Sequence, residues 1–437
     1  MRLVILGGGG FRVPLVYRAL IRRPWLGIDE VVLYDVDLAR LAVVAAVLEP
    51  TPGVRILCTD SLTEALTGAD VVFSAIRVGG AAGRVRDERR ALDLGVLGQE
   101  TVGAGGLSFG LRTLPVALQA ARLQAELAPD SWLINFTNPA GLITQALSDV
   151  LGPRVIGICD SPIGLVRRAC RALEIDPERV EYDYAGINHL GWLTGLRQDG
   201  RDLLPDLLCD DALLARTEEG RLFDPQLLRS LHAVPNEYLY FYYAAREVTA
   251  ALAGSATRGE VVLAEQDEFY RVAGGDGAQA AELWQRARQH REETYLAEAR
   301  QEDRDEGDLT GGGYEEVALD IAQAVLSGRP AELIVNARNG STIPQLPEST
   351  VIETRCQVDA TGAHPLPLPT LGLHQLGLIA SVRASELGII EAAVTGHREA
   401  AIHAFAIHPL IGSRQVAADL VTSIEADEPA VAALLGA

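Results

Sequence analysis

Short apolar runs punctuate the first part of the chain: LVIL (3–6), VVLY (31–34), VRILC (54–58), DVVFSAI (70–76), SWLINF (131–136) and VIGIC (155–159). They are nearly unbroken rather than alternating, as in parallel strands covered on both faces. Between several of them lie stretches with helical spacing, such as FRVPLVYRALIRR (11–23) and TLPVALQAARLQAEL (113–127). The repetition predicts an α/β fold, a Rossmann-like doubly wound parallel sheet over residues 1–175.

Past residue 175 the pattern changes. YDYAGINHLGWLTGLR (182–197) and VNARNGSTIPQLPESTVIETRC (335–356) read as further strands and turns, and the Ala-rich run 372–435 as helices. Residues 276–309 are dense in charge, and EDRDEGDLTGGG (302–313) is expected to be an exposed, mobile loop. Residues 176–437 are thus expected to form a mixed, mainly helical α+β domain. It should bind substrate, pack back on the first domain and carry oligomerisation helices.

Hydrophobic residues make up 48% of the 437, enough for a sizeable core, and the formal net charge is −21. Such a field repels nucleic acid and anionic lipid, so neither is expected as a partner, and an anionic substrate would require a local basic pocket. The five cysteines are scattered, without a CxxC pair, as in a reducing cytosol. No apolar run approaches the ~18 residues that span a bilayer, and the opening MRLVILGGGG lacks the apolar region of a signal peptide. A cytoplasmic protein is expected.

Candidate chemistry collects at the ends of the predicted strands. The first runs into Gly7-Gly8-Gly9-Gly10 ahead of a helix, where a dinucleotide pyrophosphate can approach the backbone. A plain tight turn is the alternative, because Arg12 stands at the third glycine position of G-x-G-x-x-G. Asp35, about 26 residues on at the end of the second strand, suits a ribose hydroxyl of NAD and disfavours the extra phosphate of NADP. The glycine- and arginine-rich stretch 76–106 reads as a long loop in which Arg84 and Arg86 bind an anion or merely solvate the surface. Asn138, in FTNPAG, is suited to a sugar or the nicotinamide, although Asn-Pro also simply starts turns. Cys159 and Asp160 stand side by side at a strand's mouth. The bland account makes one a core residue and the other a helix cap. Cys159 and His189 are suitable divalent-metal donors, but their spacing does not mark a closed zinc site. Of Tyr238, Tyr240, Tyr242 and Tyr243, most are expected in the core, since a tyrosine base needs its pKa of about 10 lowered by a nearby positive charge.

In their order, GGG, IRVGG, GVLGQETVGAGG, INFTNPAG, VIGICDSPIG, GINHLGW, PNEYLYFYY, NGSTIPQLP and HPL resemble glycoside hydrolase family 4, most closely its 6-phospho-β-glucosidases. The resemblance covers almost the whole chain, and the family is an NAD-dependent exception among glycosidases. It implies that NAD takes a hydride from sugar C3, a base removes the C2 proton, the aglycone leaves C1, water adds and the hydride returns. It further implies Tyr238 as the C2 base and Cys159 with His189 as ligands of a divalent metal, Mn²⁺ first. Gly7, Gly8, Gly9, Asp35 and Arg77 would bind the cofactor, and Arg84, Asn138, Asn188 and Arg258 a phosphorylated disaccharide or aryl glucoside. A homodimer or homotetramer is implied as well.

Asp160 departs from the β pattern. Many β-selective relatives carry Asn there, and α-selective ones use an Asp as general acid, so Asp160 joins Tyr238 as a catalytic candidate. The alternatives are therefore a family-4 α-glucosidase, α-galactosidase or α-glucuronidase, then a 2-hydroxy acid dehydrogenase, and last a non-catalytic NAD sensor.

Overall fold

The computed structural model describes residues 1–273, 277–294 and 313–436. The loop expected at 302–313 lies outside these residues, except for Gly313, which caps the helix Tyr314–Ser327. The predicted N-terminal strands are present as β1 (Arg2–Leu6), β2 (Glu30–Tyr34), β3 (Arg55–Thr59), β4 (Val71–Ser74), β5 (Trp132–Asn135) and β6 (Val155–Gly157). All six are parallel, in the spatial order β3-β2-β1-β4-β5-β6. This is the order of a doubly wound dinucleotide-binding sheet.

The unbroken apolar runs are explained by alternation. Val4 and Leu6 of β1, Val32 of β2 and Val72 of β4 face a core shared with the helices Gly103–Leu127 and Ala140–Leu151. Leu3, Ile5, Val31, Leu33, Val71 and Phe73 face the opposite core, against the helices Val13–Ile21 and Tyr314–Ser327. Each strand is buried on both faces, so neither face is free to be polar. β3 is the exception: as the edge strand it leaves Cys58 exposed.

The sheet does not stop at residue 175. The later strands are β7 (Glu181–Ile187), β8 (Leu190–Gln198), β9 (Arg201–Asp202), β10 (Val234–Pro235), β11 (Ala331–Arg338), β12 (Val351–Asp359) and β13 (Gly362–Pro365). β11 joins β6 antiparallel, and β12, β7, β8 and β10 follow in that order. With β13 on β12 and β9 on β8, thirteen described strands form one mixed sheet. The predicted C-terminal helices are present as Leu373–Thr395, Arg398–Ile407, Arg414–Asp427 and Pro429–Leu435. They contribute Ile389, Phe405, Leu420 and Leu435 to the same core as the helix Gly103–Leu127. Among the described residues, no helix is long and apolar enough to cross a membrane.

The stretch 76–106 corrects the sequence expectation. It is mostly helix, Gly80–Asp93 followed by the start of Gly103–Leu127, rather than a long loop. Its glycines serve close packing. A Cβ on Gly105 would run into the Gln99 carbonyl, and one on Gly106 into that of Thr101. The Gln99 side chain in turn accepts the Thr101 and Val102 amides at 2.6 and 2.9 Å, closing the helix start. The GQET turn and this helix therefore lock together only where side chains are missing.

Gly105→Ala should destabilise the protein by about 1–3 kcal/mol, the usual cost of overpacking. Gly377→Ala, in the exposed helical position where a Cβ meets nothing within 4 Å, should be neutral or stabilising by about 0.5–1 kcal/mol. Urea unfolding midpoints check both, and an unchanged midpoint for Gly105→Ala would refute the packing argument.

Candidate active site

A cavity of about 640 Å³ opens where the parallel strands end. The residues after β1, β2, β4, β5 and β6 line it through Gly7, Gly9, Asp35, Ala75, Asn138, Cys159 and Asp160. His189, Tyr238, Arg258 and Arg291 line it from beyond residue 175. A crevice at the carboxyl ends of a doubly wound sheet is where ligands of this fold bind.

The glycine loop is built by contacts that exclude side chains. Gly7 has φ +85°, and a Cβ there would come within 2.6 Å of the Ala75 carbonyl oxygen. The Gly7 and Gly8 amides both donate to the Tyr34 carbonyl, at 2.9 and 2.7 Å. Asp35 accepts the Gly9 amide at 2.9 Å and the Asp37 amide at 3.0 Å, so its carboxylate is positioned by the loop it faces. Three aromatic residues from the later half grip the loop's carbonyls. Tyr270 donates to Gly9 at 2.7 Å, Trp284 to Phe11 at 2.7 Å and Tyr314 to Arg12 at 3.1 Å. Arg12 stands at the N-cap position of the helix Val13–Ile21 and makes no side-chain cap bond; a helix start directly after a glycine loop is a setting that suits an anion such as a pyrophosphate. Gly8 lies beneath the loop, against Leu33, and is not a lining residue.

At the other end of the cavity, Cys159 lies two residues beyond β6 and is buried. Asp160 occupies the N-cap position of the helix Ser161–Ala172 but makes no side-chain cap bond. Its carboxylate instead lies 4.0 Å from Arg12, so the bland capping account does not hold. His189 is the second residue of the turn joining β7 to β8 and has φ +61°, the left-handed region that a non-glycine residue enters at a cost. β10 pairs with β8 at Trp192 and Leu193, and Asn236 then caps the turn that carries Tyr238. That pairing stacks the Tyr238 and His189 rings, 3.7 Å between centroids and 10° from parallel.

The donor set suits a divalent ion. Burial holds the His189 imidazole neutral, its pKa lowered to about 3, and its Nδ1 is buried without a hydrogen-bond partner among the described residues. Burial also pushes the Cys159 thiol up, with Glu353 and Asp160 adding to the effect, and a cation beside it favours the thiolate. Among the described residues no group of three His, Cys, Asp or Glu side chains could hold an ion.

Asn138 lines the cavity with its Oδ1 buried and unpaired among the described residues. Asn188 does not line it. Its Oδ1 accepts the Gly141 amide at 3.3 Å and its Nδ2 donates to Glu353 at 3.3 Å, so it anchors the turn that presents His189. Arg77 and Arg84 line the cavity and both pair with Glu100. Arg86 does not; it reaches Glu428 at 2.6 Å. Arg258 lines the wall on the helix Arg258–Ala273. Sequence reasoning missed Glu100, Glu237, Arg168 and Arg291, which also line the cavity. Only Glu100 carried a signal, as the one acid in GQET. The others gain meaning from what the fold brings beside them.

The chain belongs to the family 4 glycosyl hydrolases: residues 2–175 match that family and residues 184–411 match its C-terminal domain. The 6-phospho-beta-glucosidase of Escherichia coli (strain K12) is 30% identical, over 94% of this chain and 92% of that protein. The 6-phospho-beta glucosidase of Thermotoga maritima, solved with manganese, NAD+ and glucose-6-phosphate, superposes with a TM-score of 0.83 at 25% identity, covering 99% of each chain. A 6-phospho-alpha-glucosidase from gut microorganisms, solved with NAD and glucose-6-phosphate, superposes equally well, at TM-score 0.83 and 26% identity, covering 99% of this chain and 98% of that one. Relatives of both anomeric selectivities thus share the fold.

Glu100 sets a pH dependence. Burial alone would raise its pKa, but Arg77 and Arg84 overcome that and lower it from 4.5 to about 2. The ion pairs therefore contribute full stability above about pH 4.5, and that contribution is lost as pH falls toward 2. Glu100→Gln should lower stability at pH 7 by about 2 kcal/mol or more and flatten the acid limb between pH 4.5 and 2. Urea unfolding at several pH values tests this; an unchanged acid limb would refute it.

Proposed function

We propose that this chain hydrolyses 6-phospho-β-glucosides, using NAD and a divalent ion, manganese first. The observation that carries the reading is the stacked His189–Tyr238 pair in the cavity onto which the glycine loop opens. When bound, the dinucleotide supplies reversible oxidation at sugar C3, and the ion supplies Lewis acidity at the C2 and C3 oxygens.

The protein's own groups do the rest. Gly7 and Gly9 accommodate the dinucleotide, with Asp35 at a ribose hydroxyl and Arg77 at the rim. Cys159 and His189 would hold the ion, whose positive charge would favour the phenolate form of Tyr238. Tyr238 then takes the C2 proton and returns one at the end of the cycle. Asp160 passes a proton to the departing aglycone oxygen and recovers one from the water whose oxygen then adds at C1. Asn138 offers its unpaired amide oxygen to a sugar hydroxyl. Arg84 and Arg258 bind the 6-phosphate through charge-assisted bonds.

A second reading, α selectivity, rests on Asp160, whose carboxylate is not spent on capping. Paired α- and β-linked aryl 6-phosphoglucosides decide between them: strong α cleavage without β cleavage would overturn the β assignment.

Tyr238→Phe should lower kcat about 10²- to 10⁴-fold, the range for losing a general base, with KM little changed. Deuterium at C2 should slow the wild-type enzyme if that proton transfer limits the rate. Stripping both the metal and the dinucleotide should abolish turnover, and restoring both should recover it. Activity surviving their complete removal, or net NADH accumulation with a 2-hydroxy acid, would refute the mechanism.

A further inference from the structure

The arginines around the cavity are not equivalent. Arg77 and Arg84 share the Glu100 carboxylate, and Arg84 also holds Glu88 at 2.6 Å. Arg258 donates to Thr294 at 2.7 Å and to the backbone carbonyl of Arg291 at 3.1 Å. Arg291 differs from all three. Its guanidinium lies 4.4 Å from the centroid of the Phe11 ring, and its buried Nη1 has no hydrogen-bond partner among the described residues. Burial lowers its pKa to about 9, and the charges that add most to this are other cations: Arg12, Arg258, Arg77 and Arg84.

Leaving a charged donor unpaired is costly, and so is crowding it with like charge. Both costs fall when a dianion enters among the guanidiniums, whose forked donors match phosphate oxygens. Arg258 and Arg291 come from different helices, Arg258–Ala273 and Gly277–Glu293, and are joined by the bond to the Arg291 carbonyl. They form one wall of the cavity together.

We propose that Arg291 binds the phosphomonoester of the sugar substrate beside Arg258, and so selects phosphorylated over plain glucosides. This rests on the reading that the substrate is a 6-phosphoglucoside. A dinucleotide's pyrophosphate would instead face the loop glycines ahead of the helix Val13–Ile21.

The test is calorimetric titration of the full-length protein with glucose 6-phosphate, glucose and NAD⁺. Arg291→Met should weaken glucose 6-phosphate roughly 30-fold or more, as expected on removing one partner of a buried charge pair. Glucose and NAD⁺ affinities should stay unchanged, which a merely structural role would not produce. Arg291→Lys keeps the charge but loses the fork and should cost roughly 5-fold; it decides the matter if the methionine variant fails to fold. Unchanged glucose 6-phosphate affinity in the Arg291 variants, beside a loss in Arg258→Met, overturns the assignment and leaves the substrate reading standing. Loss of NAD⁺ affinity in place of sugar-phosphate affinity also overturns it. If the wild type binds glucose 6-phosphate no better than glucose, the substrate reading falls and the assignment falls with it.

Discussion

One row of residues across four strands governs where the chemistry can happen. Gly157 of β6 pairs with Asn336 of β11, Asn336 with Glu353 of β12, and Glu353 with Gly186 of β7. Two residues past one end of that row stands Cys159, and three past the other stands His189. Glu353 reinforces the register from within. It accepts from Asn336 at 2.9 Å, Asn188 at 3.3 Å and Tyr184 at 3.4 Å, and burial pushes its pKa up to about 7 despite those bonds. A buried carboxyl with three donors is a demanding partner, since a slip in strand register would leave it unpaired. The antiparallel extension of the sheet is thus what brings the β7–β8 hairpin turn to the end of a strand of the parallel part.

The electrostatics run against the surface. A chain of net charge −21 gathers Arg12, Arg40, Arg77, Arg84, Arg258 and Arg291 around one cavity. Glu100, inside that set, is taken by Arg77 and Arg84. A negative exterior and a positive interior sort ligands by size and shape as well as sign. Nucleic acid meets the surface first, whereas a small phosphorylated sugar can enter the local field.

Much of this was legible beforehand, for identifiable reasons. β1, β2, β4 and β5 were readable because both faces of the sheet are buried, so their apolar runs are unbroken. The glycine loop, Asp35 and Cys159 were readable because strand ends in a doubly wound sheet mark the crevice. The stretch 76–106 was not, because glycine there admits the backbone of GQET against a helix and does not loosen the chain. Asn188 was expected in the cavity with its neighbour His189, but a turn residue's side chain can go to either side, and Gly141 and Glu353 claim it. Arg291 carried no local mark at all. Among the arginines of a charge-dense segment it is distinguished only by Phe11 and the cations around it, none of which is close in sequence.

The grip of Tyr270, Trp284 and Tyr314 on the carbonyls of Gly9, Phe11 and Arg12 makes the glycine loop a joint product of the first dozen residues and a segment about 260 to 300 residues further along. A fragment stopping after β6 would keep the glycines and lose all three clasps, worth about 1 kcal/mol each. Recombining the front of this protein with the rear of a distant relative would therefore transplant a loop away from the rings that shape it. At these contacts the two parts of the chain are shaped to each other.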